Sequence, residues 1–199
     1  QLLAVSPIDG RYKRNTAVLS DYFSEMAFFK YRVHVEIEYF CRLCTVTEIV
    51  HLRNVPPEKI AELRRIGAMS QFTVADAATI KATEKITNHD IKAVEYFVKG
   101  LMRRAGLDEW LEFVHFGLTS QDINNTAIPM MLRDALHKTY IPALTKLVDT
   151  LKAKATAAQA ADLDAALHRL TGAQAMGSLF KVLCAVAPAS LQPAGFPAS

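Results

Sequence analysis

The chain has few of the features that mark disulfide-bonded, membrane or nucleic-acid-binding proteins. Its 199 residues include only three cysteines, Cys41, Cys44 and Cys184, which is too few for a disulfide framework. No apolar run reaches the roughly 18 residues that a membrane-spanning helix needs, so no membrane partner is expected. The net charge is +3 and no basic run exceeds two residues, as at Arg64-Arg65, so no nucleic-acid partner is predicted.

The cysteines also give little support to a metal site. Cys41 and Cys44 form a C-x-x-C pattern, and His34 and His51 lie seven residues beyond its two ends. On one continuous helix, His34 and His51 would be about 25 Å apart at about 1.5 Å per residue. Zinc ligands instead lie within about 2.3 Å of one ion, so the two cysteines are expected to be small side chains of a core helix.

What the sequence does contain is a succession of helix signals. Hydrophobic residues make up 51% of the chain and charged residues 22%, which is ordinary for a globular protein. Apolar residues recur at helical spacing, and no strand pair stands out, so we predict an all-α fold. Ser20 is the expected N-cap of the first long helix, and Pro129 is expected to kink or break a later one. The predicted helices are 20–45, 57–67, 74–86, 89–104, 108–115, 119–138 and 142–158.

A polar cluster at residues 87–90 opens one of these helices. It reads Thr-Asn-His-Asp, and it lies where a helix has unpaired N–H groups and positive partial charge. With Asn88 as N-cap, His89 would be only an exposed first-turn residue. An imidazole there can also donate to or accept from a ligand, and Asp90 suits the helix dipole and could orient His89. The sequence leaves both interpretations open.

A second polar cluster, residues 119–122, opens another helix with Thr-Ser-Gln-Asp. Thr119 and Asp122 have the form of a capping box, which accounts for these two residues but not for Ser120. The alternative is an anion cradle built from the Ser120 hydroxyl and backbone N–H groups. His115, which lies in an apolar setting just before, is expected to be a packed core histidine. Two such clusters in one chain suggest a pocket for a ligand with several anionic groups.

A third short pattern lies near the start of the chain, where residues 9–12 read Asp-Gly-Arg-Tyr. Asp-Gly is turn chemistry, so this tetrapeptide can be a simple turn. Arg11 also has the forked donors that suit a phosphate, and Tyr12 could add a hydroxyl. The first residues lack a basic start and a long apolar core, so no signal peptide is predicted. The expected location is the cytoplasm, or an organelle if a targeting segment precedes Gln1.

Three blocks of the sequence resemble the adenylosuccinate lyase family in its bacterial and plant-like form. They are residues 4–12 (AVSPIDGRY), 87–97 (TNHDIKAVEYF) and 115–125 (HFGLTSQDINN), and the likeness covers about residues 2–152. The family belongs to the fumarase/aspartase superfamily, which implies all-helical subunits, homotetramers and active sites assembled from several subunits. The implied reaction eliminates fumarate from adenylosuccinate and from the succinylcarboxamide ribotide of purine nucleotide biosynthesis, without a metal or organic cofactor.

The resemblance also implies roles for individual residues and for parts of the chain. His89 would aid binding or proton transfer beside the substrate, together with Asn88 and Asp90. The expected domains are an N-terminal helical domain over 1–115, the first helices of a central bundle over 116–158, and an atypical Ala/Pro-rich tail over 159–199. The implied phosphate contacts are Arg11 and Tyr12, and the implied carboxylate contacts are Thr119 and Ser120.

The sequence departs from the family pattern after about residue 152. Residues 153–199 contain 15 alanines and five charged side chains. The family's Thr-His-Gly-Gln block, whose His is the implied general acid, is matched only by residues 170–174, with Gly172 where the His belongs. The serine-containing loop that supplies the base in the family is absent from these 199 residues. The chain is therefore expected to be an inactive fragment as it stands. The alternative is a non-catalytic truncated isoform or a fragment that binds partner subunits.

Overall fold

The computed structural model describes residues 3–155 and 157–172, and within these ranges the fold is all-α, with no strand. This confirms the predicted fold class. No helix of the described residues has the length and apolar character needed to cross a membrane. In chain order the helices are α1 Lys13–Thr16, α2 Ser20–Phe23, α3 Glu25–Leu43, α4 Pro57–Ile66, α5 Val74–Thr87, α6 Asp90–Arg104, α7 Ser120–Ala135, α8 Ile141–Lys152 and α9 Ala157–Thr171.

The chain divides into two compact units. One is Phe23–Ile128, and the other combines residues 1–22 with 129–199. The unit Phe23–Ile128 contains the main hydrophobic core, and α3 runs through it. Helices α4, α5 and α6 all contact α3, so that helix is enclosed on most sides. Buried side chains of this core include Phe29, Val33, Ile37 and Phe40 from α3, Leu63 from α4, Ile80 from α5, and Val94, Val98 and Met102 from α6.

The start of α3 differs from the sequence prediction. Ser20 does not cap a helix that runs to residue 45, because short helical turns cover residues 13–23 and α3 begins only at Glu25. Ser24 is the N-cap, and its hydroxyl accepts a hydrogen bond from the backbone N–H of Ala27. Ser24 has the extended backbone that an N-cap requires, which Ser20, lying in helical backbone, lacks.

Helices α4 and α5 follow their sequence signals closely. Pro57 occupies the first turn of α4, and Gly67 ends it. A Cβ at Gly67 would overlap Ile37 Cδ1, so a larger residue there would require the end of that buried side chain to shift. Thr73 and Asp76 form a complete capping box at the start of α5. These predictions are confirmed because each signal acts within a few residues of the chain.

Between α6 and α7 the chain makes a glycine stop and a tight turn. Gly106 has a φ of +73°, and the N–H of Leu107 bonds to the carbonyl of Met102, which closes the end of α6. Residues 108–113 then form a 3₁₀ helix, where the sequence predicted a short helix over 108–115. The Trp110 indole N–H donates to the carbonyl of His51, which joins this segment to the short 3₁₀ turn Val50–Leu52.

The other unit contains the end of α7, from Pro129 onward, and the last described helices, α8 and α9. Helix α7 continues through Pro129 to Ala135, so Pro129 does not break it, and the alternative of a kink stays a prediction. A π-helical turn follows at Leu136–Tyr140, just before α8 with Pro142 in its first turn. Proline lacks an N–H and its ring crowds the carbonyl four residues earlier, so an irregular turn before it is expected. Helix α8 ends at Lys152, not near residue 158.

Helix α9 contains part of the segment that the sequence analysis assigned to a tail. Residues 157–171 are helical and pack against α8, and Lys152 pairs with Asp164 across the two helices at 2.5 Å. Within the predicted tail, residues 159–171 thus form a helix, which a high alanine content favours; the tail itself stays a prediction. Its remaining residues from 173 onward lie outside the described ranges. The predicted domain limits at 115 and 158 stay a prediction.

Replacing Ile80 by alanine tests the core assignment. The Ile80 side chain is fully buried, and we expect Ile80→Ala to lower the free energy of unfolding by about 3 kcal/mol. The control is Ile86→Ala on the same helix, where the side chain is 87% exposed and the change should cost less than about 0.5 kcal/mol. Urea unfolding followed by circular dichroism measures both. Equal losses for the two variants would contradict this packing.

Candidate functional site

The first predicted cluster lies at the two-residue connection between α5 and α6. Asn88 is the C-cap of α5. It has a left-handed φ of +51°, and its N–H donates to the Glu84 carbonyl. Asn88 is therefore not the N-cap of α6, which one of the two interpretations left open by the sequence had assumed. His89 takes that position with an extended backbone, and its side chain is half exposed. Asparagine tolerates the left-handed conformation, which explains the one-residue shift.

The His89 ring is oriented by the helix that it caps. Its Nδ1 accepts a hydrogen bond from the Lys92 backbone N–H at 3.1 Å. An amide N–H can only donate, so Nδ1 carries the lone pair and the proton of the neutral ring lies on Nε2. Nε2 lies 3.5 Å from Ser120 Oγ, which is within long hydrogen-bond distance. The cap therefore aims an N–H donor at the second polar cluster.

Asp90 lies in the first turn of α6, where its charge suits the helix dipole as predicted, but it does not orient His89. Its nearest carboxylate oxygen lies 3.9 Å from His89 Nδ1, too far to orient the ring by a hydrogen bond. Instead it accepts from the Ile91 N–H at 2.8 Å and from the Arg32 guanidinium at 2.9 Å. Partial burial opposes its ionisation, but the Ile91 N–H and Arg32 outweigh that effect and hold the pKa of Asp90 below its ordinary value.

The second cluster begins α7. One carboxylate oxygen of Asp122 accepts from both the Thr119 N–H at 2.7 Å and the Thr119 hydroxyl at 2.9 Å. These two bonds lower the pKa of Asp122 and occupy the Thr119 hydroxyl. Ser120 is left with its hydroxyl beside His89. The described geometry thus brings His89 and Ser120 together, while Thr119 serves as a cap.

The loop before α7 is held by two side chains of α3 that the sequence analysis overlooked. Glu36 is fully buried, and its carboxylate lies 2.6 Å from His115 Nδ1. Tyr39 donates its hydroxyl to the Phe116 carbonyl at 2.8 Å. His115 has a φ of +59°, an unusual backbone for a residue with a Cβ, and the Glu36 contact helps to hold it there. His115 is thus not a simple core histidine but half of an ion pair.

A sequence signal for Glu36 and for Arg32 exists in hindsight. Both are charged, four residues apart, and flanked on each side by large apolar residues in α3. Fully buried charges are rare unless they are paired, so charge inside an apolar stretch points to a specific partner elsewhere. Arg32 is only 4% exposed, and it contacts Asp90 directly.

Arg11 and Tyr12 lie in the other unit, in a loop closed by its own hydrogen bonds. Asp9 accepts from the Ser6 N–H at 2.9 Å, and the Tyr12 N–H donates to the Pro7 carbonyl at 2.8 Å. The Arg11 guanidinium lies 5.4 Å from the centre of the Tyr12 ring, and both side chains are exposed. The turn predicted from Asp-Gly is present, and the phosphate role of the two residues stays a prediction.

The cysteines of the C-x-x-C lie on the side of α3 and at its end. Cys41 is buried, and burial raises the pKa of its thiol to about 11. Burial likewise raises the pKa of Cys44 to about 11. Thiols with such a raised pKa are poor nucleophiles and poor metal ligands at neutral pH. Over residues 3–155 and 157–172, no three His, Cys, Asp or Glu side chains are grouped to hold a metal ion.

Comparison with known proteins places this helical arrangement in an enzyme class. The sequence model of the family described as Lyase matches residues 10–162, so the chain belongs to that lyase family. Curated relatives within it are adenylosuccinate lyases, and the chain is similar to their N-terminal part. The Dictyostelium discoideum enzyme is 51% identical over 149 residues, covering 74% of this chain and 32% of that relative.

Two bacterial relatives give the same picture. The adenylosuccinate lyase of Buchnera aphidicola from Acyrthosiphon pisum is 42% identical over 152 residues, and that of Escherichia coli K12 is 40% identical over 152 residues. Each match covers 76% of this chain and 33% of the relative. The chain spans about a third of the length of the curated relatives it matches. The resemblance drawn from the three sequence blocks is thereby confirmed.

The Glu36–His115 pair gives a test that depends on pH. The Glu36 hydrogen bond outweighs the opposing effect of burial and raises the pKa of His115 above 6.5. Glu36→Gln should move that pKa back toward its ordinary value, as measured by NMR titration of the His115 ring. Glu38→Gln, on the same helix but paired with Arg64, is the matched control and should leave the His115 pKa unchanged.

The same pair predicts how stability depends on pH. The pKa of His115 is higher in the folded than in the unfolded state, so the ion pair contributes fully below about pH 6.5 and the contribution is lost as pH rises through the folded-state pKa. The free energy of unfolding of the wild type should exceed that of Glu36→Gln by about 2 kcal/mol near pH 6 and by less near pH 9. Urea unfolding at both pH values measures this. A difference that grows with pH would contradict the pairing.

Proposed function

We propose that this chain supplies part of an adenylosuccinate lyase active site. The supporting observation is the 3.5 Å separation of His89 Nε2 and Ser120 Oγ, which joins two helix N-termini in one compact unit. Two such termini favour bound anions through their positive partial charge, and His89 Nε2 and Ser120 Oγ add hydrogen-bonding groups beside them. The ligand of the proposed reaction carries two carboxylates and a phosphate. The reaction would release fumarate from adenylosuccinate and from the succinylcarboxamide ribotide in purine nucleotide biosynthesis.

The proposed roles follow from which groups remain available after capping. Ser120 Oγ and His89 Nε2 would contact a carboxylate of the succinyl group, with Thr119 contributing as the neighbouring cap. Asn88 lies beside His89 on the exposed connection and would contact the ligand at its edge. Asp90 would not contact the ligand directly, because one of its oxygens is bound to Arg32. It would instead help to hold the start of α6 in place.

Arg11 and Tyr12 are proposed as contacts to the nucleotide phosphate. The guanidinium fork suits a phosphate, and both side chains are exposed on a loop that its own hydrogen bonds hold in shape. We also propose that the complete site forms in a homo-oligomer, as the resemblance implies a homotetramer with active sites shared between subunits. Sedimentation analysis of the purified chain measures its association state.

A second candidate function is a non-catalytic role in binding partner subunits. The observation that favours it is Gly172 at the place where the family pattern has its acid-bearing histidine. A glycine has no side chain to move a proton. A β-elimination needs both an acid and a base in one site, and these 199 residues match the family pattern at neither position.

Activity of the purified 199-residue chain separates these views in part. We expect no measurable release of fumarate from adenylosuccinate in a spectrophotometric assay. Loss of a general acid or of a general base each lowers the rate about 10²–10⁴-fold, so loss of both should bring the rate below the detection limit of the assay. Turnover at an ordinary enzymatic rate would show that another histidine, such as His89 or His168, serves as the acid.

Binding of succinate tests the carboxylate site without requiring turnover. In an isotope-labelled chain, succinate should shift the backbone amide signals of His89 and Ser120. Ser120→Ala should weaken that binding about tenfold, because a hydrogen bond to a charged group is lost. The control is Thr126→Ala on the same helix, whose hydroxyl bonds to the Asp122 carbonyl and should not affect binding. Absence of any succinate-dependent shift would favour the non-catalytic role.

A further inference from the structure

A single arginine of α3 contacts both helices that carry the candidate site. Arg32 Nη2 lies 2.9 Å from Asp90 Oδ2, in the first turn of α6. Arg32 Nε donates to Asn124 Oδ1 at 3.0 Å, in the second turn of α7. Asp90 directly follows His89, and Asn124 lies four residues after Ser120, about one helical turn away. The guanidinium therefore bridges the helix starts that bear the two site residues.

The plane of this guanidinium is itself fixed. The Arg32 guanidinium carbon lies 3.5 Å from the centre of the Phe28 ring, one turn earlier on α3, so the group stacks on an aromatic face. Only 5% of the Arg32 side chain is exposed. A charge buried to this extent is costly unless it is paired and hydrogen-bonded, and Asp90 and Asn124 supply the pairing and the hydrogen bond.

Asn124 is oriented to receive this contact. Its Nδ2 donates to Gln121 Oε1 at 3.3 Å, which leaves Oδ1 as the acceptor for Arg32. Packing of the core alone does not require polar side chains at positions 32 and 124. Apolar side chains of similar size would fill the same space without the cost of burying a charge. The arrangement instead sets the distance between the starts of α6 and α7.

We propose that Arg32 is a positioning residue that sets the separation of His89 and Ser120. The inference rests on the proposed function in that these two residues form the carboxylate site. Arg32 does not itself reach the ligand; it acts through Asp90 and Asn124. Lysine cannot replace it, since one ammonium on a flexible stem cannot hold two acceptors in a fixed plane as a stacked guanidinium does.

The test uses the full 199-residue chain without ligand first. Nuclear Overhauser contacts between the His89 ring and the Ser120 β-protons report their separation. Asn124→Ala and Arg32→Lys should each reduce this contact at least threefold. Asn124→Asp keeps the acceptor oxygen and should restore it, which a loss of packing would not. The matched control is Arg64→Lys, which alters the ion pair between Arg64 of α4 and Glu38 of α3 and should leave the contact unchanged.

Unfolding midpoints of all variants separate positioning from loss of structure. If Arg32→Lys fails to fold, the pair Asn124→Ala and Asn124→Asp still decides the question, because it leaves the buried charge bound to Asp90. Unchanged His89–Ser120 contacts in folded Asn124→Ala and Arg32→Lys chains would overturn the proposal. So would failure of Asn124→Asp to restore the contact.

Succinate titration forms the second arm. Asn124→Ala should weaken succinate binding about tenfold, with Asn124→Asp close to wild type. If the ligand-free contacts change as expected but the wild type binds no succinate, the positioning role stands and the proposed function fails. If the wild type binds succinate and the variants bind it equally well, the proposed function stands and the positioning role is overturned.

Discussion

Three polar side chains on the enclosed helix α3 must find partners, and their partners are the segments that form the candidate site. Arg32, Glu36 and Tyr39 follow one another at helical spacing, so they lie along one face. Arg32 contacts the start of α6 and the second turn of α7. Glu36 contacts His115, and Tyr39 donates to the Phe116 carbonyl. Because α4, α5 and α6 also pack against α3, the candidate site is fixed to the helix at the centre of its unit.

This support has an energetic cost that the apolar core must offset. Burying a charge costs several kcal/mol unless a partner and further hydrogen bonds compensate it, and the Glu36 pair is only partly compensated. Among the described residues, Glu36 Oε2 has no hydrogen-bond partner, although it is completely buried. An apolar residue at position 36 would avoid this cost but would leave His115 and its left-handed backbone without their contact. Retaining the carboxylate therefore favours a fixed loop over maximum stability.

The sequence predicted what depends on neighbouring residues and missed what depends on distant ones. The all-α fold, the Thr73 cap and the Gly106 stop follow from patterns within a few positions, and the structure has them. Where two caps compete, as at Ser20 and Ser24, local chemistry gives no decision, because backbone conformation selects between them. The sequence also placed polar groups at the starts of α6 and α7.

The partners of Arg32 and Glu36 could not be predicted in the same way. Arg32 and Asn124 are 92 residues apart, and Glu36 and His115 are 79 apart. The α3 sequence is apolar on several sides, so its periodicity does not reveal which neighbour each charge meets. The site roles of Arg11 and Tyr12 stay predictions for a related reason, since they lie in the other compact unit.

The cap at the start of α6 also decides which chemistry His89 can offer. While Nδ1 accepts from the Lys92 N–H, the neutral ring can only donate at Nε2. Its role toward a carboxylate is then that of a hydrogen-bond donor beside the Ser120 hydroxyl. To act as a base at Nε2, the ring would have to move its proton to Nδ1 and give up the Lys92 bond, which would leave an unpaired N–H at the helix start. Helix capping and the proposed carboxylate binding therefore require the same tautomer, so the proposed role of His89 is that of a binding residue and not of a base.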